Sequence, residues 1–342
     1  MGIDLKKGGK RKGDSLVEKD GRLMSPFLDW TFKHMFATEE SKSNLIGLLN
    51  LILMPQVPIV DVTYLNNEVL PVAPEMKGCV FDIICEDENG ERYLIEMQNQ
   101  KAMNVKERII YYTCRMIDRM GLRGGKWNYQ DIKKAYTICI MNFTYEANPI
   151  LRRDIQLYDS KTGELFSDKF NIILLQLPCI QAANISECNM SYEYLLYLLR
   201  EMHKSMKTMD ELKQEVAASV LPQNTKELFY RIIDTANVAS LSEKDRIRFE
   251  AEWKNYLDTM SCLEMAKEEG MEEGIQKGFE KGMEKGMVEG IQKGIEEGME
   301  KGVTVGRMNE KLDIAKSMKA NGVDKATIAK YTNLTFEEID NL

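Results

Sequence analysis

From Gly270 to Gly306 glycine occupies every fourth position, ten times in succession. The residue after each of the first nine is apolar: Met271, Ile275, Phe279, Met283, Met287, Ile291, Ile295, Met299 and Val303. A four-residue step turns an α-helix by about 400°, so the apolar stripe creeps about 40° per repeat and circles the helix roughly once over the run. A left-handed coiled coil is thereby disfavoured, because its seam needs a period of about 3.5. Glycines in a helix interior also cost roughly 1 kcal/mol each, on the order of 10 kcal/mol over this run, which a lone helix does not offset. The segment must therefore pack on something or be only partly ordered. Two readings are open: a self-association or partner-binding helix whose glycine column lets another backbone approach, or a low-complexity spacer of helical bias.

Over all 342 residues the chain is 44% hydrophobic and 29% charged, the composition of a globular protein large enough for two or three domains. No uninterrupted apolar run reaches the ~20 residues of a membrane helix. The longest stretch, Leu45 to Val60, is broken by Asn50, Pro55, Gln56 and Pro58. The N-terminus has charge with no apolar stretch behind it, so a cytoplasmic protein with no membrane partner is expected. The seven cysteines include no C-x-x-C pair and read as reduced, buried, small hydrophobes. With only His34 and His203, a Cys/His zinc site is disfavoured. The net charge of −8 argues weakly against a general nucleic-acid coat but leaves room for a local basic face.

Residues 1–22 carry seven Lys or Arg against four acids and read as a mobile basic arm. Phe32, Met35, Phe36, Leu45, Leu48, Leu49 and Ile52 recur at three- and four-residue spacing, which predicts two helices ended by Pro55. The period then changes to two. Val57–Tyr64, Gly78–Cys85 and Arg92–Gln98 read as strands, Asn99–Met120 as a helix capped by Gly121, and Ala135–Phe143 as a strand covered on both faces. Ile155–Tyr158 and Phe170–Leu177 flank a turn at Ser160 to Gly163. Beyond Pro178 the spacing is helical, and 308–342 reads as a short helical hairpin that resembles a helix-turn-helix in outline only. The order of elements places the chain in the α/β class.

Two otherwise apolar strands each bring one acid into their middle, Asp82 and Glu96, and a buried carboxylate is costly unless paired or bound to a cation. Leu94, Glu96 and Gln98 alternate onto one face. A two-residue Asn89-Gly90 loop would pair Asp82 with Met97 and turn it to the opposite face. A three-residue Glu88-Asn89-Gly90 loop with Gly90 left-handed would pair it with Glu96 and gather Asp82, Glu96 and Gln98 into an oxygen-rich patch suited to a hard divalent cation. The alternative is a partly exposed edge hairpin with its acids in water. Between Lys101 and Lys134 nine basic residues stand against three acids, and Arg108, Tyr111, Arg115 and Arg119 fall on one helical stripe suited to phosphate contacts. Glu68 and Lys101 are possible accessories to the patch; Asp29 serves equally as a helix cap, and His34 reads as packed.

An early Asp-x-x-Phe-Lys (Asp29, Phe32, Lys33), Leu45 to Asn50, then Asp82 and Glu96-x-Gln98, then Arg108-x-x-Tyr111-Tyr112, together resemble the PD-(D/E)XK nuclease-family transposases, also called recombination-promoting nucleases of the Rpn type. The likeness is strong over roughly residues 25 to 145, and the glycine-tetrad tail is similar to tails in that group. The resemblance implies a restriction-endonuclease-like core, a mixed sheet flanked by helices, in which Asp82 and Glu96 hold Mg²⁺ (or Mn²⁺) and water attacks a DNA phosphodiester. It also implies a positioning or ligating role for Gln98, with Arg108, Tyr112 and Arg115 steadying the phosphate or the surroundings of the site. Phe81 stands in place of the superfamily's proline and Gln98 in place of its lysine. Glutamine offers only hydrogen bonds or a carbonyl ligand where lysine offers a full charge; Lys101 is a candidate to supply it.

The expected organisation is a basic arm over 1–22, the nuclease core over 23–180, a helical domain over 181–262, the repeat tail over 263–307 and the hairpin over 308–342. The expected function is Mg²⁺-dependent DNA cleavage by a homo-oligomer formed through the tail. The rival is a catalytically weak or inactive nuclease fold acting as an oligomerising interaction module.

Overall fold

A computed structural model describes residues 21–69, 79–101, 104–122, 128–204 and 207–342. The basic arm expected over 1–22 lies outside these residues except for Gly21 and Arg22, as do Arg123 and Lys126 of the basic cluster. The chain divides into two units, one running through Leu257 and the other from Asp258 to Leu342.

In the first unit the helical spacing near the start becomes α1 (Asp29–Phe36) and α2 (Lys42–Leu53), the second ending at Met54 in the left-handed conformation just before Pro55. Four short strands follow: β1 (Val62–Tyr64), β2 (Glu68–Val69), β3 (Cys79–Val80) and β4 (Ile83–Asp87). The strand expected from Val57 begins only at Val62. Pro58 has no N–H for a ladder, and the Asn50 side chain takes both the N–H and the C=O of Ile59, at 2.9 and 2.8 Å. Next come β5 (Arg92–Gln98), α3 (Val105–Asp118), β6 (Ala135–Met141), β7 (Arg152–Tyr158) and β8 (Leu165–Gln176). Helix α3 starts six residues later than its spacing suggested, at the Val105 that begins its buried stripe of Val105, Ile109, Thr113 and Met116.

The six-stranded mixed sheet runs β1-β4-β5-β6-β8-β7, with β6 parallel to both β5 and β8 and the outer pairings antiparallel. This is a restriction-endonuclease-like α/β architecture. Strand alternation sends Ile83, Cys85, Tyr93, Ile95, Ile138 and Ile140 to one face. Ile84 and Leu94 go to the other face, under Met116 of α3. Cys139 and Leu174 follow them, under Val105 and Ile109.

The helices of residues 181–257, within the helical region expected over 181–262, complete the first face. Leu195, Leu198 and Leu199 of α4 (Ser191–Lys204), Val216 of α5 (Met209–Ala218) and Phe229, Ile232 and Ile233 of α6 (Gln223–Thr235) share one buried cluster with Leu45, Leu48, Leu49 and the sheet. Their apolar faces had to be buried against something, and the face of the sheet left open by α1 and α2 is what they cover. Gly47 sets the approach of α2 to α6: a Cβ there would lie 2.4 Å from Leu228 Cδ1. The first turns of α7 (Glu243–Ala320) close the unit, with Phe249 buried against Met24 and Leu28 and the Glu252 carboxylate accepting from the Trp30 N–H at 3.1 Å.

In the second unit α7 continues as helix through the whole glycine repeat, and a Cβ built on any of the ten repeat glycines meets nothing within 4 Å. Beyond Gly322, at φ +77°, α8 (Lys325–Thr332) and α9 (Phe336–Asp340) fold back on the end of α7, burying Ala315, Ile328, Leu334 and Ile339. No helix among the described residues is long and apolar enough to cross a membrane.

Candidate active site

The hairpin register decides whether Asp82 and Glu96 face each other, and the loop decides the register. Asp87 and Glu91 close it: the Asp87 N–H donates to the Glu91 carbonyl and the Gly90 N–H to the Asp87 carbonyl, both at 3.0 Å. Gly90 sits at φ +78°, which a residue without a Cβ adopts freely. The loop is thus the three-residue Glu88-Asn89-Gly90 form, and Ile83 pairs with Ile95 and Ile84 with Leu94. One residue further on, Asp82 stands opposite Glu96.

Asp82 has left the regular ladder, since β3 ends at Val80 and β4 begins at Ile83. Its side chain makes up for the missing pairing: Oδ2 accepts the Met97 N–H at 2.8 Å, while the Asp82 N–H donates to Glu96 Oε1 at 3.3 Å. Gln98 follows on the same face. Its Nε2 donates to Glu96 Oε2 at 3.2 Å and its Oε1 accepts from the Arg108 guanidinium. Carboxylates only accept and guanidinium only donates, so these two neighbours fix the orientation of the amide.

Glu96 is only 4% exposed. Burial foremost, then the charge of Asp82, pushes its carboxyl up to about 8, against the pull of the Asp82 N–H, Arg108 and Gln98. Asp82 is also raised, chiefly by burial, with the Met97 N–H opposing; Asp29 adds to the rise while Lys33 and Arg108 reduce it. Two neighbouring carboxyl groups that both stay raised in a poorly solvated place, despite Arg108, are short of positive charge. With the Gln98 amide oxygen beside them they form a donor set of hard oxygens, the kind that Mg²⁺ or Mn²⁺ takes. A divalent ion fits this chemistry. Among the described residues no cluster of three or more His, Cys, Asp or Glu side chains has the makings of a metal site, so these two acids would need the amide, backbone or water to complete a coordination shell.

The other expected residues are placed unequally. Tyr112 packs edge-on against Phe81, ring centres 5.2 Å apart, directly before Asp82. Arg115 turns instead to Asp118 at 3.0 Å, and its buried Nε has no hydrogen-bond partner. Arg119 reaches the Asn66 carbonyl at 2.9 Å. The basic stripe therefore reaches the carboxylates through Arg108. Glu68 is exposed opposite Val80 and Lys101 is exposed in the segment after β5; neither has a hydrogen bond or ion pair to Asp82 or Glu96. Asp29 opens α1 without capping it through its side chain and pairs with Lys33 at 2.7 Å, bringing both charges into the field of Asp82. His34 is packed, stacked on Trp30 with ring centres 4.9 Å apart. Together with Lys33 and Arg248 these two rings line a cavity of about 590 Å³ that includes none of Asp82, Glu96 or Gln98.

Sequence reasoning missed a polar chain behind the site. The Asn142 N–H donates to the Gln98 carbonyl at 2.8 Å, and the Asn142 side-chain amide reaches Asn99 Oδ1 and His203 Nε2, both at 2.9 Å. His203 Nδ1 in turn lies 2.7 Å from Ser25 Oγ. Asn142 and His203 are 61 positions apart, with no local pattern to connect them.

A mixed sheet crossed by α3, with two opposed acids at the break in a central hairpin, defines a nuclease-type α/β hydrolase core. The chain matches the model of the PD-(D/E)XK nuclease family transposases over residues 26–266, and it belongs to that family. No curated protein matches it, and no solved structure does.

Proposed function

We propose that this chain is a divalent-metal-dependent endonuclease that hydrolyses DNA phosphodiester bonds, of the transposase or recombination-promoting kind. The opposition of Asp82 and Glu96, each raised chiefly by burial and Glu96 raised further by the charge of Asp82, carries this reading. It describes a site that lacks one positive charge. Mg²⁺ or Mn²⁺ held by Asp82 and Glu96 would supply Lewis acidity and a more acidic bound water.

The chain's own residues do the rest. Glu96 sheds its proton to present an anionic oxygen, and Asp82, tied by the Met97 N–H, keeps one oxygen fixed while the other stays available. Gln98 is held by Glu96 on one side and Arg108 on the other, so its amide is oriented to position a water or to lend its carbonyl. Arg108, bonded to Gln98 and acting on both acids, brings positive charge to the site and steadies a phosphate; Tyr112, on Phe81, holds the approach beside Asp82. Arg115 would contribute only indirectly, through the end of α3. Self-association through the exposed repeat helix would bring two such sites together, as cutting both strands of a duplex requires.

Nicking of supercoiled plasmid with Mg²⁺ by the intact chain, by Asp82→Ala and by Glu96→Ala tests the reading. Nicking by the intact chain alone supports it. Equal nicking by all three removes these residues from the mechanism, and nicking by none turns the reading to an interaction module on a nuclease fold.

A further inference from the structure

His203 lies outside the group of Asp82, Glu96 and Gln98. It sits near the end of α4 with its ring wedged between three segments. Phe27 approaches edge-on at 5.0 Å between centres and Tyr256 of α7 at 6.1 Å. The two ring nitrogens meet Ser25 Oγ and the Asn142 amide nitrogen. An amide nitrogen can only donate, so His203 Nε2 accepts and carries no proton. A neutral ring then holds its proton on Nδ1 and donates it to Ser25, whose Oγ also accepts the Phe27 N–H at 3.3 Å. Every member of the chain has a partner in this one protonation state.

The chain spans the site from behind. At one end Asn142 is bonded to the Gln98 carbonyl and the Asn99 side chain, the last residue of β5 and the one after it. At the other end Ser25 belongs to the segment leading into α1, whose first residue, Asp29, stands in the field of Asp82. We propose that His203 is a positioning residue: acting through Asn142, its neutral ring pins the end of the Gln98 strand to the segment that leads into α1. This rests on the nuclease reading only for its effect on catalysis; the clamp itself is a statement about hydrogen bonds.

Protonating His203 would put an N–H on Nε2 facing the Asn142 amide hydrogens, two donors with no acceptor between them. Acid therefore opens the clamp. The groups around the ring bias it toward neutrality: it is poorly solvated, Lys204 adjoins it on its own helix, and the side chains that meet it from other elements, Ser25, Phe27, Asn142 and Tyr256, include no carboxylate. The folded ring is thus held below its ordinary value, so the clamp is fully present above that value and is lost as pH falls through the lowered one.

The chain has two histidines, so ¹⁵N imidazole spectra of the full chain resolve the ring directly, with His203→Gln assigning the signals. The expected result is an Nδ1–H tautomer that titrates below the ordinary histidine range, with the backbone amides of Asn99 and Asn142 shifting along the same curve and losing that inflection in His203→Gln. An Nε2–H tautomer, or amides that ignore the ring's titration, overturns the proposal. In the nicking assay His203→Ala is expected to lower kcat about tenfold with KM little changed. His203→Gln, whose amide can both accept and donate, restores most of the rate but not the histidine's pH inflection. Equal loss in both variants with an unaltered pH profile assigns His203 a merely structural role and sinks the proposal. A chain that cuts nothing yet shows the expected spectra overturns the nuclease reading and leaves the clamp standing.

Discussion

Asp82 and Glu96 hold each other across the hairpin, the backbone N–H of the first donating to the carboxylate of the second at 3.3 Å. The contact places two acids of like charge side by side with little water. Their energetics then depend on whether a cation is present.

Without metal, Glu96 folds with its carboxyl raised to about 8 from an ordinary 4.5. Its contribution to stability is therefore fully present below 4.5 and is lost as pH rises toward and through 8, on the order of a few kcal/mol in all. Thermal unfolding in chelator should show Tm falling between pH 5 and pH 8.5. Glu96→Gln should flatten that slope, and a slope unchanged in the variant would contradict the assignment.

With metal the same pair becomes the asset. Mg²⁺ or Mn²⁺ at millimolar concentration should raise Tm at pH 8, because anything that binds only the folded state stabilises it. Asp82→Asn should abolish the rise and lower nicking by a factor of 100 or more. A metal-dependent rise that survives in Asp82→Asn would place the ion elsewhere.

Gln98 donates to Glu96 and accepts from Arg108, and lysine could take over the first role but not the second. Gln98→Lys should therefore slow nicking about tenfold, since it sets two cations together and leaves Arg108 without its acceptor. Adding Arg108→Gln should recover part of the loss. Strictly multiplicative rates in the double-mutant cycle would show that the two side chains act independently.

Gly47 lets α2 meet α6, and a Cβ there would fall 2.4 Å from Leu228 Cδ1. Gly47→Ala is expected to destabilise by about 1–3 kcal/mol through overpacking. Leu228→Ala in the same chain should relieve the clash, so the double variant should lose less than the two single losses combined. Denaturant unfolding measures all three.

The repeat glycines respond in the opposite sense. Nothing lies within 4 Å of a Cβ at Gly278, Gly282, Gly286 or Gly290. Changing them to alanine should strengthen the helix by roughly 1 kcal/mol each, seen as greater helicity in the full chain by circular dichroism. If the glycine column is where a second copy approaches, sedimentation should show the alanine variant dissociating while its helicity rises.

Much of this was legible in the sequence because it rested on local rules. Alternation put Leu94, Glu96 and Gln98 on one face, and the Asn89-Gly90 pair narrowed the hairpin to two registers. Which register holds is set by Asp87, which also anchors the loop through its side chain to the N–H groups of Asn89 and Glu91 at 2.9 Å. That is a choice between two locally sound loops, made by one side chain at the loop's own base. Arg115 followed the helical spacing faithfully yet found Asp118 first. Cys114 and Cys262 are exposed although the composition read them as buried, since α3 shows Cys114 on its outer side and Cys262 falls on the long helix. The partnership of Ser25, Asn142 and His203 joins positions separated by more than a hundred residues at its widest, a distance over which no periodicity operates.

Phe249 and Glu252 sit at the far end of the first unit in sequence, yet they seal the entry to α1, where Met24, Leu28 and Trp30 lie. Trimming the chain after the sheet would strip that seal and bare the leucines of α2. The smallest excisable piece that still folds around its acids must therefore reach past Trp253, and shorter fragments are destined for the insoluble fraction.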